Sequence, residues 1–308
     1  MLTLFTIPKT FPGHIGIIQR NAIKSWTLLR PHCEIILLGD DEGTADVARE
    51  FAVRHIAKIA RNEFGTPLIN DAFRMAEKLS NHDFCCFINS DIILMNDFME
   101  AAQRLTRWKE YFLMVGRPWN FRVNELLDFG PAWGSQLRMQ VSTRGELRSV
   151  AAIDYFLFRR GIWGDIPPFA IGRPGYDNWL IYRARSRKVS VVDATQAVMA
   201  VHQNHEYPAH LQVANGVRRN SPEAKQNLEL AAGSSRIFTL LDATHLMTSE
   251  GPKRPFNWRH LCRRFTCLPV LYPRFGLPLK LLAMAGDVSR PIRVRLGLTL
   301  NEKAARHE

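Results

Sequence analysis

A chain of 308 residues, 46% of them hydrophobic and free of low-complexity tracts, is long enough to bury a sizeable core, which excludes a disordered or fibrous protein. Its net charge of +12 is uneven: residues 251–308 hold twelve Lys/Arg against three Asp/Glu, so most of the surplus lies in the last fifth. No run of 18 apolar residues occurs, so no membrane-spanning helix is expected.

Met1 to Ile7 is too short and uncharged for a signal peptide and reads as a first strand over 2–7. The five cysteines (Cys33, Cys85, Cys86, Cys262 and Cys267) make neither a disulfide framework nor a zinc spacing, which fits a reducing cytoplasm.

After the turn-rich Pro8 to Gly13, a helix is expected over about 14–29 and a buried strand over 34–39, ending at Asp40-Asp41. A helix over 44–51, capped by Thr44, and a weaker strand over 53–59 follow. Thr66-Pro67 signals the next helix, to about Leu79. The apolar run 84–88 reads as a buried strand that delivers Asn89-Ser90-Asp91. A helix over 97–105 and a strand over 111–116 come next. Residues 117–150 look polar and irregular, and Trp119 or Trp133 there is the aromatic expected to meet a substrate. A strand over 151–158, a helix over 178–185 and short strands over 189–193 and 197–201 precede His202-Gln203-Asn204-His205; a helix over 222–231 follows. Alternating strands and helices predict an α/β fold, an open, mostly parallel sheet with helices on both faces. Neither a Gly-x-Gly-x-x-Gly nor a Walker A motif follows the first strand, which counts against dinucleotide oxidoreductases and P-loop enzymes.

Several segments in this order point the same way. They are Thr6-Ile7-Pro8-Lys9 after the first strand, Asn89-Ser90-Asp91 after the fourth, Asp154-Tyr155-Phe156 on a later strand, Gly175-Tyr176-Asp177-Asn178-Trp179 at a helix start, and His202-x-x-His205. With them, residues 1–210 resemble the GT-A-type glycosyltransferases, the nucleotide-diphospho-sugar transferase superfamily. Asn89-Ser90-Asp91 departs by one letter from the Asp-x-Asp signature of that family. The resemblance implies a Rossmann-type GT-A domain over 1–210, with a basic, largely helical extension over 211–308. It also implies a divalent ion, Mn²⁺ or Mg²⁺, and transfer of a sugar from a nucleotide sugar to a glycan, lipid-linked or other hydroxyl acceptor.

By the same resemblance Asp91 is a metal ligand, with His202 or His205 completing the site, while Asn89 and Ser90 face the ribose. Lys9, Asn21, Asn62 and Asn70 line the nucleotide pocket. Asp177 is the base of an inverting transfer, and Asp154 contacts donor or acceptor. Arg117, Arg122 and Arg173 are candidates for phosphate or acceptor contacts. The residues by themselves leave plainer readings open. Asp91 can close an Asx turn, Asp177 can cap a helix, and Asp154 can pair with Arg159 or Arg160. Other functions also stay open: a nucleotide-sugar-binding protein without transfer, or a basic protein for nucleic acid or membrane surfaces. Nucleic acid is not expected, because residues 1–250 do not interleave basic residues with aromatics on one face. Basic and apolar residues alternate in the tail, which suits an anionic membrane, peripheral at its cytoplasmic face.

Overall fold

The computed structural model describes residues 2–204 and 221–275. The chain divides into two compact units, 1–254 and 255–308. In chain order the first unit runs β1 (Leu2–Thr6), α1 (Gly13–Thr27), β2 (Glu34–Leu38), α2 (Thr44–Glu50), β3 (Arg54–Ile56), α3 (Ile69–Leu79), β4 (Phe84–Ile88) and β5 (Ile92–Ile93). It continues with α4 (Asn96–Trp108), β6 (Phe112–Val115), β7 (Trp119–Phe121), α5 (Trp133–Arg144), β8 (Glu146–Leu147), β9 (Tyr155–Arg159) and α6 (Tyr176–Ser186). Last come β10 (Ser190–Asp193), β11 (Val201–Gln203), α7 (Pro222–Leu230), β12 (His245–Thr248) and β13 (Gly251–Lys253).

Among the described residues nine strands form one sheet, in the order β13-β12-β10-β6-β9-β4-β1-β2-β3. β1 to β4 run parallel, as do β6, β10 and β12. β9 lies antiparallel between β4 and β6, and β13 closes one edge antiparallel to β12. The apolar runs Leu2–Thr6 and Phe84–Ile88 form central strands because both their faces are covered. On one face α1, α2 and α4 bring Trp26, Val47 and Phe98 against Leu4, Leu37, Ile88 and Leu157. On the other, Phe73 of α3 stacks among Phe5, Phe87, Phe158 and Trp163. This is the open, mostly parallel sheet with helices on both faces that the sequence implies. β12 and β13 extend it with residues from beyond 210, a stretch the sequence assigns to the extension.

Three local expectations are corrected. Residues 117–150 are ordered rather than irregular: β7 and β8 join β5 and β11 in a second sheet, β5-β11-β7-β8. α5 lacks a continuous apolar stripe; only Leu137 and Val141 are buried, in a satellite core with Ile93, Met95 and Val201. Trp119 and Trp133 pack, partly buried, against that core. The strand expected over 197–201 is shifted to 201–203, because Asp193 Oδ1 accepts the Thr195 amide at 2.9 Å and turns the chain out of the sheet. α3 begins at Ile69 rather than at Thr66-Pro67, because Asn62 Oδ1 accepts the Thr66 amide at 2.9 Å and holds that segment as a turn.

In the second unit, α8 (Trp258–Leu271) is capped by Asn257, whose Oδ1 accepts the His260 amide at 3.1 Å.

Candidate active site

The site is built at the carboxyl end of β4, where open α/β sheets gather ligands. The chain leaves the main sheet at Asn89, turns through the Ile92 amide donating to Asn89 O at 3.2 Å, and continues as β5 of the second sheet. β5 pairs antiparallel with β11, Ile92 opposite His202, so residues 110 apart in sequence become neighbours. His202 Nε2 then lies 3.7 Å from Asp91 Oδ2. His202 sits inside a strand, rather than after one as the sequence suggests. His205 lies outside the described residues.

Asp91 is 9% exposed and Asp154 7%. Asp154 precedes β9, the antiparallel neighbour of β4. Its Oδ1 accepts Asn89 Nδ2 at 2.8 Å and its Oδ2 accepts Arg148 Nη1 at 2.8 Å. Asn89 is therefore a donor to a carboxylate, which explains the departure from Asp-x-Asp: a second Asp there would set carboxylate against carboxylate. With both oxygens engaged, Asp154 positions Asn89 and Arg148. Its ion partner is Arg148, from the segment read as irregular, not Arg159 or Arg160, which pair with Glu110 and Asp83.

Asp177 stands in the first turn of α6, which begins after Gly175 at φ +111°, a conformation that side chains rarely adopt. Its Oδ1 accepts the Asn178 amide at 2.9 Å. Burial pushes the Asp177 carboxyl up to about 6; backbone amides oppose the shift and the charge of Asp154 adds to it. Asp154 is raised in turn by burial, against the pull of Arg148 and His202, and the Asp91 charge adds to that rise. Asp91, Asp154 and Asp177 thus form one acidic group whose charges reach one another, with Arg148 as its cation.

Gln19 and Gln203, which the sequence reading passed over, hold the frame. Gln19 Oε1 accepts the Lys9 amide at 2.7 Å and Ser90 Oγ at 2.7 Å, while its Nε2 donates to Lys9 O at 2.9 Å. The loop after β1 is thereby tied to the Asp91 turn, and Lys9 is exposed beside it. Gln203 Nε2 donates to Asp91 O at 3.0 Å and to Ile18 O at 2.7 Å. Asn21, expected at the nucleotide, is 1% exposed and spends its amide on Gln203 Oε1 and on the backbone of Glu125 and Leu127. Asn62 Nδ2 donates to Glu223 Oε1 at 2.8 Å, and Glu223 also receives Arg173. Asn70 lines a cavity of about 470 Å³ with Phe73, Glu77 and Trp163, away from the acidic group. Arg117 is spent on the carbonyl oxygens of Arg148 and Leu147, and exposed Arg122 donates to Asn124 Oδ1.

Among the described residues no group of three or more His, Cys, Asp and Glu side chains could hold a metal ion. Asp91 and His202 still supply one oxygen and one nitrogen donor, which suits an ion that takes its other ligands from water and substrate phosphates.

No family model matches the chain, and no curated protein matches it in sequence. Among solved structures, the chain is similar to glucosyl-3-phosphoglycerate synthase from Mycobacterium tuberculosis in complex with Mn²⁺, UDP and glucosyl-3-phosphoglycerate. That match has 13% identity, covers 77% of this chain and 80% of the other, and has a TM-score of 0.45. Residues 1–349 of S. aureus TarS in complex with UDP-GlcNAc match 96% of this chain and 92% of their own, at 10% identity and a TM-score of 0.49.

Proposed function

We propose that this chain is a glycosyltransferase that moves a sugar from a nucleoside-diphosphate donor to an acceptor hydroxyl. One observation carries the reading: Asp91 and His202 face each other at 3.7 Å, at the carboxyl end of a central strand, beside an acidic group that includes Asp177. Asp91 and His202 would hold a divalent ion, Mn²⁺ or Mg²⁺. When bound, such an ion neutralises diphosphate charge and eases departure of the nucleoside diphosphate.

The protein's own groups do the rest. Gln19 and Gln203 fix the turn that presents Asp91, and Asn89 and Arg148 hold Asp154. Lys9, exposed at the edge of the same turn, would meet a phosphate, and the Asn62 segment would lie on the nucleotide side. Asp177, with a carboxyl near 6, is ionised at neutral pH and accepts the proton of the acceptor hydroxyl in an inverting transfer. Acceptors of the glycan or lipid-linked class fit this chemistry.

Calorimetry of nucleoside diphosphate binding, with and without Mn²⁺, tests the reading. Asp91→Asn is expected to weaken the Mn²⁺-dependent part of the affinity by about tenfold or more while the protein stays folded. Unchanged affinity in the presence of Mn²⁺ would remove Asp91 from the site and the proposal with it.

A further inference from the structure

Helix α8 presents a feature that the transfer reaction does not use. Trp258, Leu261 and Phe265 recur at i, i+3 and i+7, so they share one face of the helix. That face is open: Trp258 is 57% exposed, and Leu261 and Phe265 are exposed with it. Phe256 just before the helix is 91% exposed, and Phe275 just after it 66%. The buried residues of the helix, His260 and Cys267, fall on the other side. Arg259 lies on one flank of the apolar stripe and Arg264 on the other.

Large aromatics left in water on a helix that already has a buried face call for an occupant. The charge selects it. Residues 251–308 carry twelve Lys/Arg and three Asp/Glu, so a second copy of the same surface would be repelled and an anionic one attracted. An apolar stripe of Trp, Phe and Leu between arginine flanks is the pattern that lies in a lipid interface, rings at the headgroup level and guanidinium groups on phosphates.

We infer that α8 is a peripheral docking surface for an anionic lipid bilayer. The surface needs neither donor nor divalent ion, so its test is independent of the transfer reaction. Full-length protein is sedimented with vesicles of phosphatidylcholine alone or mixed with phosphatidylglycerol. Co-sedimentation is expected with the mixed vesicles at low salt, and it should fall steeply as salt is raised. Replacing Arg259 and Arg264 together by Gln should weaken binding about thirtyfold. Phe256→Ala with Trp258→Ala, both at exposed positions, should reduce it while far-UV circular dichroism is unchanged. No binding at low salt, equal binding to neutral vesicles, or a concentration-dependent dimer that blocks vesicle binding would each overturn the inference.

Discussion

In the proposed reaction Asp177 would join two roles that a local reading leaves as rivals, acceptor for a first-turn amide and catalytic base. It accepts its own helix's Asn178 amide, yet burial lifts its carboxyl to about 6, close to the pH at which a base is most useful. The rate should therefore rise with pH through about 6 and then level off, as the carboxylate forms. Asp177→Asn should lower turnover on the order of 10²–10⁴-fold and flatten that limb, with donor affinity kept. Stability moves the opposite way. A carboxyl raised in the folded state contributes stability that is fully present below 3.8 and is lost as pH rises through about 6. The Asn variant, which keeps an acceptor for the Asn178 amide, should thus melt higher than the parent above pH 6, by no more than about 3 kcal/mol, and match it near pH 3. A variant that melts lower at pH 8 would show that the ionised form is stabilised in the fold. Asn89 makes the complementary point: beside three acids whose fields overlap, a neutral amide that donates to Asp154 spares the fold another like charge.

At the scale of elements, the approach of α7 to the body of the first unit depends on one buried carboxylate. Burial raises the Glu223 carboxyl, but hydrogen bonds from Thr66, Asn62 and Arg173, with the charge of Arg173, outweigh it and hold the group below its usual range. Asn227, one turn further along, bonds Ala170 through both its oxygen and its nitrogen. A carboxyl lowered in the folded state stabilises above its unfolded value and loses that contribution as pH falls through the folded one. Protection of the α7 amides in hydrogen exchange should thus hold at pH 6 and weaken as pH falls below 4.5. In Glu223→Gln, protection should already be weaker at pH 6, because Arg173 loses its charged partner. Equal protection in the two proteins at pH 6 would show that Asn227 alone docks the helix.

Across the molecule, the two faces of the main sheet are held by different chemistry. The α1, α2 and α4 face is mainly aliphatic, with Trp26 and Phe98 set into it. The α3 face is an aromatic cluster: Phe73 lies 5.2 to 5.6 Å, centroid to centroid, from Phe5, Phe87, Phe158 and Trp163. Phe73→Ala would leave a cavity under four rings that cannot collapse into it, at a cost of about 3–5 kcal/mol. Urea denaturation should show that loss in the midpoint with little change in slope. A shift under about 1 kcal/mol would mean that the neighbouring rings repack.

The sequence by itself determined what depends on short range. Buried runs at Leu2–Thr6 and Phe84–Ile88, helices between strands, and a carboxylate at a strand end all follow from local pattern, so the α/β layering and the place of Asp91 could be read directly. The basic, aromatic-studded tail is likewise a matter of composition. Only the tertiary structure decided who meets whom. His202 reaches Asp91 because β11 pairs with β5, and Asp154 takes Arg148 rather than the nearer Arg159 because the 117–150 segment folds back as β7, α5 and β8. Asn21 was drawn from a nucleotide pocket into the frame by Gln203, 182 residues away. Such contacts join residues on different strands and helices, and the free energy that selects them comes from burying the whole sheet, which no local window of sequence contains.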